Sequence, residues 1–183
     1  MAFKLKKITN SKTGQTYLFL QTAADTQGKI LEIESGFAPH SLEPPLHYHP
    51  YQFEDFTILE GELTVKINGS LKILKRGDTL HIPANTHHSM WNNSAAKTTV
   101  NWKIRPALNS EQLFETFAGL ANDNKTKPDG IPSFLQVVLT VNKFSDSFRL
   151  VKPPYFIQKL LFSLLTPVSL LLGYRAVYKK YLD

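Results

Sequence analysis

HYHPYQFEDFTILEG, residues 47–61, carries two histidines two residues apart and a glutamate five residues after the second. In an extended strand, residues i and i+2 point to the same face, about 6–7 Å apart, so His47 and His49 can aim at one point. Glu54 has the opposite parity to His49, which predicts a turn or bulge between them, and Pro50 lies where one is needed. Two imidazoles and a carboxylate converging from apolar strands indicate a metal site.

A second stretch, GDTLHIPANTHHSMWNN at residues 77–93, carries a further histidine. Together the two stretches resemble the paired motifs of the cupin superfamily. The first motif, G-x5-H-x-H-x(3,4)-E-x6-G, is matched except at its leading glycine, where Ser41 stands; the matching residues are His47, His49, Glu54 and Gly61. The second, G-x5-P-x-G-x2-H-x3-N, is matched except at its second glycine, where Asn85 stands; the matching residues are Gly77, Pro83, His88 and Asn92. Because asparagine tolerates left-handed backbone well, we expect the turn at Asn85 to form.

The resemblance implies a mainly β fold, an antiparallel double-stranded β-helix or jelly-roll barrel. Strand-like segments at regular spacing, separated by Gly, Pro and Asn, favour the same fold class independently. A tight hairpin is predicted at Asn68-Gly69. The predicted strands are 3–9, 16–21, 29–34, 52–59, 62–67, 71–75, 87–92 and 96–105. We assign residues 1–107 to the barrel.

Residues 108–183 form a predicted C-terminal helical extension. Apolar spacing and candidate caps, including a Thr166-Pro167 start for the last helix, indicate helices at 111–122, 134–144, 153–165 and 167–180. The last two helices are strongly apolar, but the run is shorter than the roughly 20 residues that a bilayer span needs. We therefore expect a helical hairpin that packs on the barrel or across a dimer interface.

Charge is distributed unevenly along the chain, whose formal net charge is +6. Residues 1–10 contribute +3, residues 11–150 contribute −1, and residues 151–183 contribute +4. Nucleic acid is not an expected partner, because binding it requires a basic stripe with aromatic residues on one face. The basic C-terminus makes membrane-surface attachment the alternative to packing, with Arg175 and Lys179 among the residues facing lipid headgroups.

The chain of 183 residues contains no cysteine, which excludes disulfides, thiolate metal ligands and a cysteine nucleophile. No apolar run follows the N-terminal lysines, so we expect no secretory signal and a cytoplasmic protein. An edge strand near the N-terminus and the apolar extension favour a homodimer.

The resemblance implies one divalent transition metal held by His47, His49, Glu54 and His88. Imidazole and carboxylate ligands suit Fe, Mn, Ni, Cu, Co or Zn. Four protein ligands leave one or two coordination positions open, as metal-assisted catalysis requires. Glu54 is also the candidate catalytic base. The alternative is that these histidines are ordinary core or surface residues.

Residues that share a strand face with a ligand are candidates for the pocket wall. The pocket candidates, chosen by parity with Glu54 or His88, are Phe56, Ile58, Met90 and Asn92. Strand alternation turns His87 away from the site. His81 either supports a ligand through a hydrogen bond or is an ordinary strand residue.

The apolar candidates for the pocket wall favour a small apolar or aromatic organic molecule as the substrate or ligand. Among the activities that the resemblance implies, we favour metal-dependent oxidation of the dioxygenase-like kind; isomerases, decarboxylases and binding proteins are the others. The competing hypothesis is a non-catalytic module that binds or senses a metal or a small molecule. In one form of this hypothesis, the C-terminal helices attach the module to a membrane surface.

Overall fold

The computed structural model describes residues 2–182, which form two antiparallel sheets followed by helices. The strands are β1 (Lys7–Thr9), β2 (Thr16–Gln21), β3 (Leu31–Phe37), β4 (His47–Tyr48), β5 (Phe53–Glu60), β6 (Glu62–Ile67), β7 (Ser70–Lys75), β8 (Thr79–Ile82), β9 (His88–Trp91), β10 (Thr98–Arg105) and β11 (Arg149–Leu150). The helices are α1 (Ser110–Asn122), α2 (Phe134–Lys143), α3 (Tyr155–Leu171) and a short 3-10 turn (Lys179–Tyr181).

The two sheets enclose one apolar core. One sheet has the strand order β1-β2-β3-β10-β5-β8 and the other has the order β11-β4-β9-β6-β7. The pairings between these strands are antiparallel. Side chains from both sheets meet in the core, for example Ile33 and Phe56 from the first sheet and Leu63 and Val65 from the second. The predicted mainly β, antiparallel fold class is confirmed.

Strict alternation along the central strands builds this core. In β10, Val100, Trp102 and Ile104 are buried and the residues between them are half-buried. Fully burying one such side chain stabilises the fold by roughly 1.5–3 kcal/mol relative to leaving it in water. Strand β5 pairs with β10 and follows the same rule, so that Glu54 and Phe56 both point into the barrel.

Positive φ angles occur at the motif positions that need them. Asn85 has φ 61°, so asparagine adopts there the conformation for which the motif has glycine. Gly61 has φ +76°, and a Cβ on it would lie 2.6 Å from the carbonyl oxygen of Lys97. Asn68 and Gly69, with φ 47° and 88°, form the predicted two-residue turn between β6 and β7.

The first strand is shorter than predicted. β1 begins at Lys7 instead of residue 3, because the preceding residues form a turn in which Leu5 has φ 69°. The amide of Lys6 donates to the carbonyl of Phe3 at 3.0 Å within that turn.

Helices α1 and α2 lie within one residue of the predicted bounds at each end. Asn109 and Ser133 occupy the residue before each helix, but neither side chain makes a capping hydrogen bond. The side chain of Asn109 instead accepts a hydrogen bond from the hydroxyl of Ser147, in the later part of the extension.

The predicted helix break at Pro167 is wrong, because α3 continues through it. Proline removes only the hydrogen bond to the carbonyl of Ser163, an exposed residue whose oxygen can bond to water. Thr166, the predicted cap, lies inside the helix, and its hydroxyl donates to the carbonyl of Phe162 at 2.7 Å. The predicted fourth helix is therefore the second half of α3, and beyond Gly173 the chain forms only the 3-10 turn.

Residues 147–151, here called the strap, return from the extension to the barrel. Within the strap, β11 pairs antiparallel with β4, so that Leu150 lies opposite His47. The amide of Val151 also donates to the carbonyl of Leu46 at 3.1 Å. The boundary between barrel and extension at residues 107 and 108 stays a prediction, but residues beyond it add a strand to one of the two sheets.

Helix α3 packs on α2 and on the strap. Phe162 is buried against Val138 and Val141 of α2, with Phe148 and Leu150 packed beside them. Within residues 2–182, each helix falls short of the length and apolar character that a membrane crossing requires.

Candidate metal centre

Two neighbouring strands bring the motif histidines together. His47 in β4 lies directly opposite His88 in β9, and His49 follows β4 by one residue. One ring nitrogen from each of the three histidines lies within 4.8 Å of the other two. His49 and His88 are buried and His47 is half-buried, so the cluster is most accessible on the His47 side.

A bend between His49 and β5 accommodates the change of parity toward Glu54. The amide of Asn85 donates to the carbonyl of His49 at 2.9 Å, and its side chain donates to that of Pro50 at 3.3 Å. The buried side chain of Gln52 anchors the other end of the bend through its amide, which donates to the carbonyl of Pro106 at 2.7 Å. The residue that replaces the motif's glycine thus holds the bend that brings His49 and Glu54 together.

Each histidine is oriented by a backbone carbonyl oxygen. The Nδ1 atom of His47 lies 2.9 Å from the carbonyl oxygen of Pro45, and that of His88 lies 2.9 Å from the carbonyl oxygen of Thr86. The Nδ1 atom of His49 bonds to the carbonyl oxygen of Ser147 in the strap. Because a carbonyl oxygen only accepts, each Nδ1 carries a proton, and each ring in its neutral form has its lone pair on Nε2.

Glu54 faces two of these lone pairs. Its Oε2 lies 3.0 Å from Nε2 of His88, and its Oε1 lies 3.3 Å from Nε2 of His49. The indole N–H of Trp102 donates to Oε1 at 3.1 Å and fixes the fully buried carboxylate.

Three buried atoms in this cluster have no hydrogen-bond partner. They are Nε2 of His49, Nε2 of His88 and Oε2 of Glu54. Lone pairs on imidazole and carboxylate repel unless protons or a cation lie between them. A divalent cation would satisfy these atoms together, so the donor set and its unpaired atoms fit the predicted metal.

Burial and neighbouring groups shift pKa values in the cluster in different directions. Burial alone raises the pKa of Glu54, but the surrounding imidazoles outweigh it and lower that pKa to about 2. Burial, together with His88 and His49, holds the pKa of His47 well below 6.5. Burial lowers the pKa of His88, but the Glu54 carboxylate outweighs burial and raises it. Glu54 is thus ionised and His47 neutral, the protonation states that metal binding needs.

The strap forms a wall of the cluster that sequence reasoning missed. The ring of Phe148 stacks on His47 with 4.8 Å between centroids and meets His49 edge-on at 6.3 Å. With the bond from His49 to Ser147, two neighbouring strap residues contact two of the three histidines. The bond from His49 spans 98 residues of sequence, and nothing in the local pattern FSDSFRL points to histidines so far away.

Three of the predicted pocket residues point into the barrel, and their place in a pocket wall stays a prediction. Phe56, Ile58 and Met90 are buried members of the core. Phe56 stacks on Trp102, the residue that holds Glu54, with 5.2 Å between ring centroids.

Asn92 has a role besides the one predicted. It is fully buried, and its amide nitrogen donates to the carbonyls of Ala38 and Ala96 at 3.1 and 2.6 Å. Its side-chain oxygen accepts hydrogen bonds from Ser94, and its backbone amide donates to the hydroxyl of Ser41. The contacts of Asn92 fasten loops around the end of β9, a role that the sequence did not predict, and its place in the pocket wall stays a prediction. Ser41, at the position of the motif's missing glycine, takes part in the same fastening.

The two other motif-region histidines point away from the cluster. His87 is exposed. His81 is also exposed, and its Nδ1 lies 2.7 Å from a carboxylate oxygen of Asp55 on the outer face of β5. His81 is thus an ordinary strand residue that points outward, and it does not support a ligand through a hydrogen bond.

Comparison with known proteins identifies the barrel. A family model described as "Cupin domain" matches residues 34–102, which include the three clustered histidines and Glu54. The barrel is a cupin domain. The crystal structure of a predicted oxalate decarboxylase from Thermotoga maritima is similar in fold, with a TM-score of 0.50 and 23% identity over 56% of this chain and 92% of that one.

Sequence relatives of this cupin domain are distant. Quercetin 2,3-dioxygenase from Bacillus subtilis is 36% identical over 75 residues, which are 41% of this chain and 22% of the relative. An oxidoreductase from Arthrobotrys oligospora is 27% identical over 152 residues, 79% of this chain and 57% of the relative. A probable oxidoreductase, virH, from Hypocrea virens is 26% identical over 151 residues, 75% of this chain and 67% of the relative. The chain thus spans less than a quarter of the first of these relatives and a little over half of the second.

Proposed function

We propose that this cupin protein is a metal-dependent oxidoreductase of the dioxygenase-like kind that acts on a small apolar or aromatic organic molecule. The observation that supports it most directly is the convergence of three oriented imidazoles beside a buried carboxylate whose Oε2 has no hydrogen-bond partner. The distant similarity to a quercetin dioxygenase and to oxidoreductases favours oxidation over the other cupin activities.

In this proposal His47, His49, Glu54 and His88 hold one divalent ion. An ion of Fe, Mn, Ni, Cu, Co or Zn would supply a Lewis acid and, where the ion is redox-active, a place for dioxygen to react. The backbone carbonyls that accept from Nδ1 hold the rings in the orientation that binding requires.

Glu54 fits the role of ligand better than that of base. Its carboxylate is fixed between His49, His88 and the indole of Trp102, and its low pKa makes it a weak proton acceptor at neutral pH. The predicted role of catalytic base remains a prediction.

The walls around the cluster support an apolar substrate. In this proposal Phe56, Ile58 and Met90, which are buried in the barrel core, form the inner wall, and Phe148 presents an aromatic face over His47 on the more accessible side. An aromatic molecule that enters there can exchange its water contacts for contacts with rings and methyl groups.

Oxygen uptake tests the proposal. The metal-free protein is reconstituted separately with Fe(II), Mn(II) and Ni(II), and oxygen consumption is measured with a panel of phenols and diketones. We expect consumption that requires both an added metal and one class of organic substrate.

Two adjacent histidines supply the matched variants. His88→Ala removes a buried ligand, and His87→Ala removes its exposed neighbour. We expect His88→Ala to lose bound metal, measured by elemental analysis, together with any oxygen uptake, whereas His87→Ala keeps both. Equal metal content in wild type and His88→Ala would reject the metal site itself.

A metal-binding module without turnover is the second candidate. The observation that favours it is the position of Phe148, which covers the side of the cluster where His47 is half-buried. Tight metal binding that depends on His88, without oxygen consumption for any metal and substrate in the panel, would select this candidate over the enzyme.

A further inference from the structure

The outer face of α3 is apolar although it lies in solvent. Five apolar residues recur at intervals of four, the spacing that places side chains along one face of a helix. Their exposed fractions range from 46 to 73%. We call them the outer stripe: Phe156, Leu160, Leu164, Val168 and Leu172.

The polarity of α3 is inverted relative to a helix on a water-exposed surface, where polar residues face outward. α3 instead buries Gln158 and Ser169 on its inner side. The amide of Gln158 donates to the carbonyls of Leu150 and Pro153 at 2.7 and 2.6 Å, and the hydroxyl of Ser169 donates to the carbonyl of Leu165 at 2.9 Å. The inner side thus buries two hydrogen-bonded polar side chains beside Phe162, with only Oε1 of Gln158 left without a partner, and the outer side presents an apolar surface to water.

The segment that carries the outer stripe is basic. Residues 147–182 contain six basic residues and no acidic one. Lys152, Lys159, Arg175 and Lys179 are exposed. A two-fold contact between two copies would press this patch against itself and bring cations together without a carboxylate to pair with them. An anionic lipid surface offers negative headgroups for the cations and an acyl layer for the stripe.

We infer that α3 binds the surface of an anionic membrane. The helix of 17 residues, about 25 Å long, lies along the surface with the outer stripe in the acyl boundary. Lys159, Arg175 and Lys179 lie at the level of the headgroups.

This surface is connected to the metal centre. Gln158 bonds the inner side of α3 to Leu150 of the strap, which pairs with His47. Membrane binding therefore brings the cluster close to apolar molecules dissolved in lipid. The binding itself depends on the outer stripe and the cations, and it does not rest on the proposed oxidation.

Vesicle flotation of the full-length protein tests the inference. One set of vesicles contains phosphatidylcholine alone, and a second set contains added phosphatidylserine. We expect the protein to float with the second set, to remain unbound with the first, and to dissociate as salt is raised.

Matched double variants separate the stripe from general surface hydrophobicity. Leu160→Gln with Leu164→Gln changes two stripe residues that are 67 and 66% exposed, and Leu71→Gln with Ile73→Gln changes two barrel residues that are 64 and 58% exposed. We expect the first pair to reduce flotation by at least about tenfold and the second to leave it unchanged. Both pairs should keep the wild-type melting temperature because their side chains are exposed.

A charge variant and a metal-site variant complete the test. Lys159→Glu should weaken flotation with phosphatidylserine vesicles, while His88→Ala should float like wild type, which keeps this result separate from the metal chemistry. The inference is overturned if wild type stays unbound with anionic vesicles. It is also overturned if light scattering shows a dimer that Leu160→Gln with Leu164→Gln converts to a monomer, because a second copy then covers the stripe.

Discussion

The strands that supply the histidines and the strap that covers them reach the same cluster by different routes. His47, His49 and His88 arrive through neighbouring strands, with spacing that strand alternation turns inward. Ser147 and Phe148 arrive from a segment beyond two helices and contact the same rings. The barrel thus provides the ligand atoms, while the extension provides some of the contacts that orient and enclose them.

The largest expected effect is on the barrel side of this comparison. Glu54→Gln keeps the size of the side chain but removes the negative charge between His49 and His88. We expect metal affinity to fall by about 100-fold or more, roughly 2.7 kcal/mol, in competition titrations with a chelator. In the metal-free protein at neutral pH we also expect the variant to melt lower than wild type, because the lowered pKa of Glu54 means that its ionised form stabilises the fold.

Asp55→Asn is the control for Glu54→Gln. Asp55 is the next residue along β5 but lies on the outer face, where it pairs with His81 and Arg105. Its substitution should leave metal affinity unchanged. If Glu54→Gln binds metal as tightly as wild type, the carboxylate is not a ligand and the barrel contributes the three histidines alone.

A smaller effect is expected on the strap side. Phe148→Ala removes the ring that stacks on His47 and contacts His49. We expect metal affinity to fall by about tenfold, as for other residues that orient ligands. We also expect the free energy of unfolding to fall by about 1–3 kcal/mol, less than for a fully buried ring because Phe148 is half-buried.

Two further phenylalanine variants sharpen this result. Phe148→Leu should restore most of the stability, and Phe156→Ala, at a position 73% exposed, should change neither metal affinity nor stability. A Phe148→Ala protein that loses stability but keeps full metal affinity would show that the strap supports the fold without orienting the histidines.

The smallest effect is expected at the far end of the extension. There the side chain of Asp123, after α1, accepts hydrogen bonds from Lys180 and from Tyr181, the latter at 2.6 Å. These bonds hold the pKa of Asp123 below its usual 3.8, so any stabilisation is present at neutral pH and is lost as pH falls through the lowered pKa. Asp123→Asn should lower the melting temperature at pH 7 by about 2 °C or less, and the difference should vanish in strong acid. A larger loss would mean that the C-terminal turn is more important to the fold than its exposure indicates.

Local pattern was enough to predict the barrel. Alternation in β5 and β10 fixed which residues point inward, and the pair Asn68-Gly69 fixed a hairpin. The break placed at Pro167 failed because a proline in a helix can be tolerated where the freed carbonyl faces water, which depends on exposure and not on local sequence. The hydrogen bonds of Asn92 to the loops were not predicted, because parity gives the direction of a side chain but not its hydrogen-bond partners.

By itself the sequence determined the antiparallel barrel, because strand alternation follows from side-chain direction over a few neighbouring residues. It also gave the residues of the candidate metal cluster, through their match to the cupin motifs. Only the tertiary structure decided that the strap closes the cluster and that α3 keeps its apolar face outward. Contacts between residues about 100 positions apart depend on how the chain folds back on itself, and local sequence periodicity does not predict them.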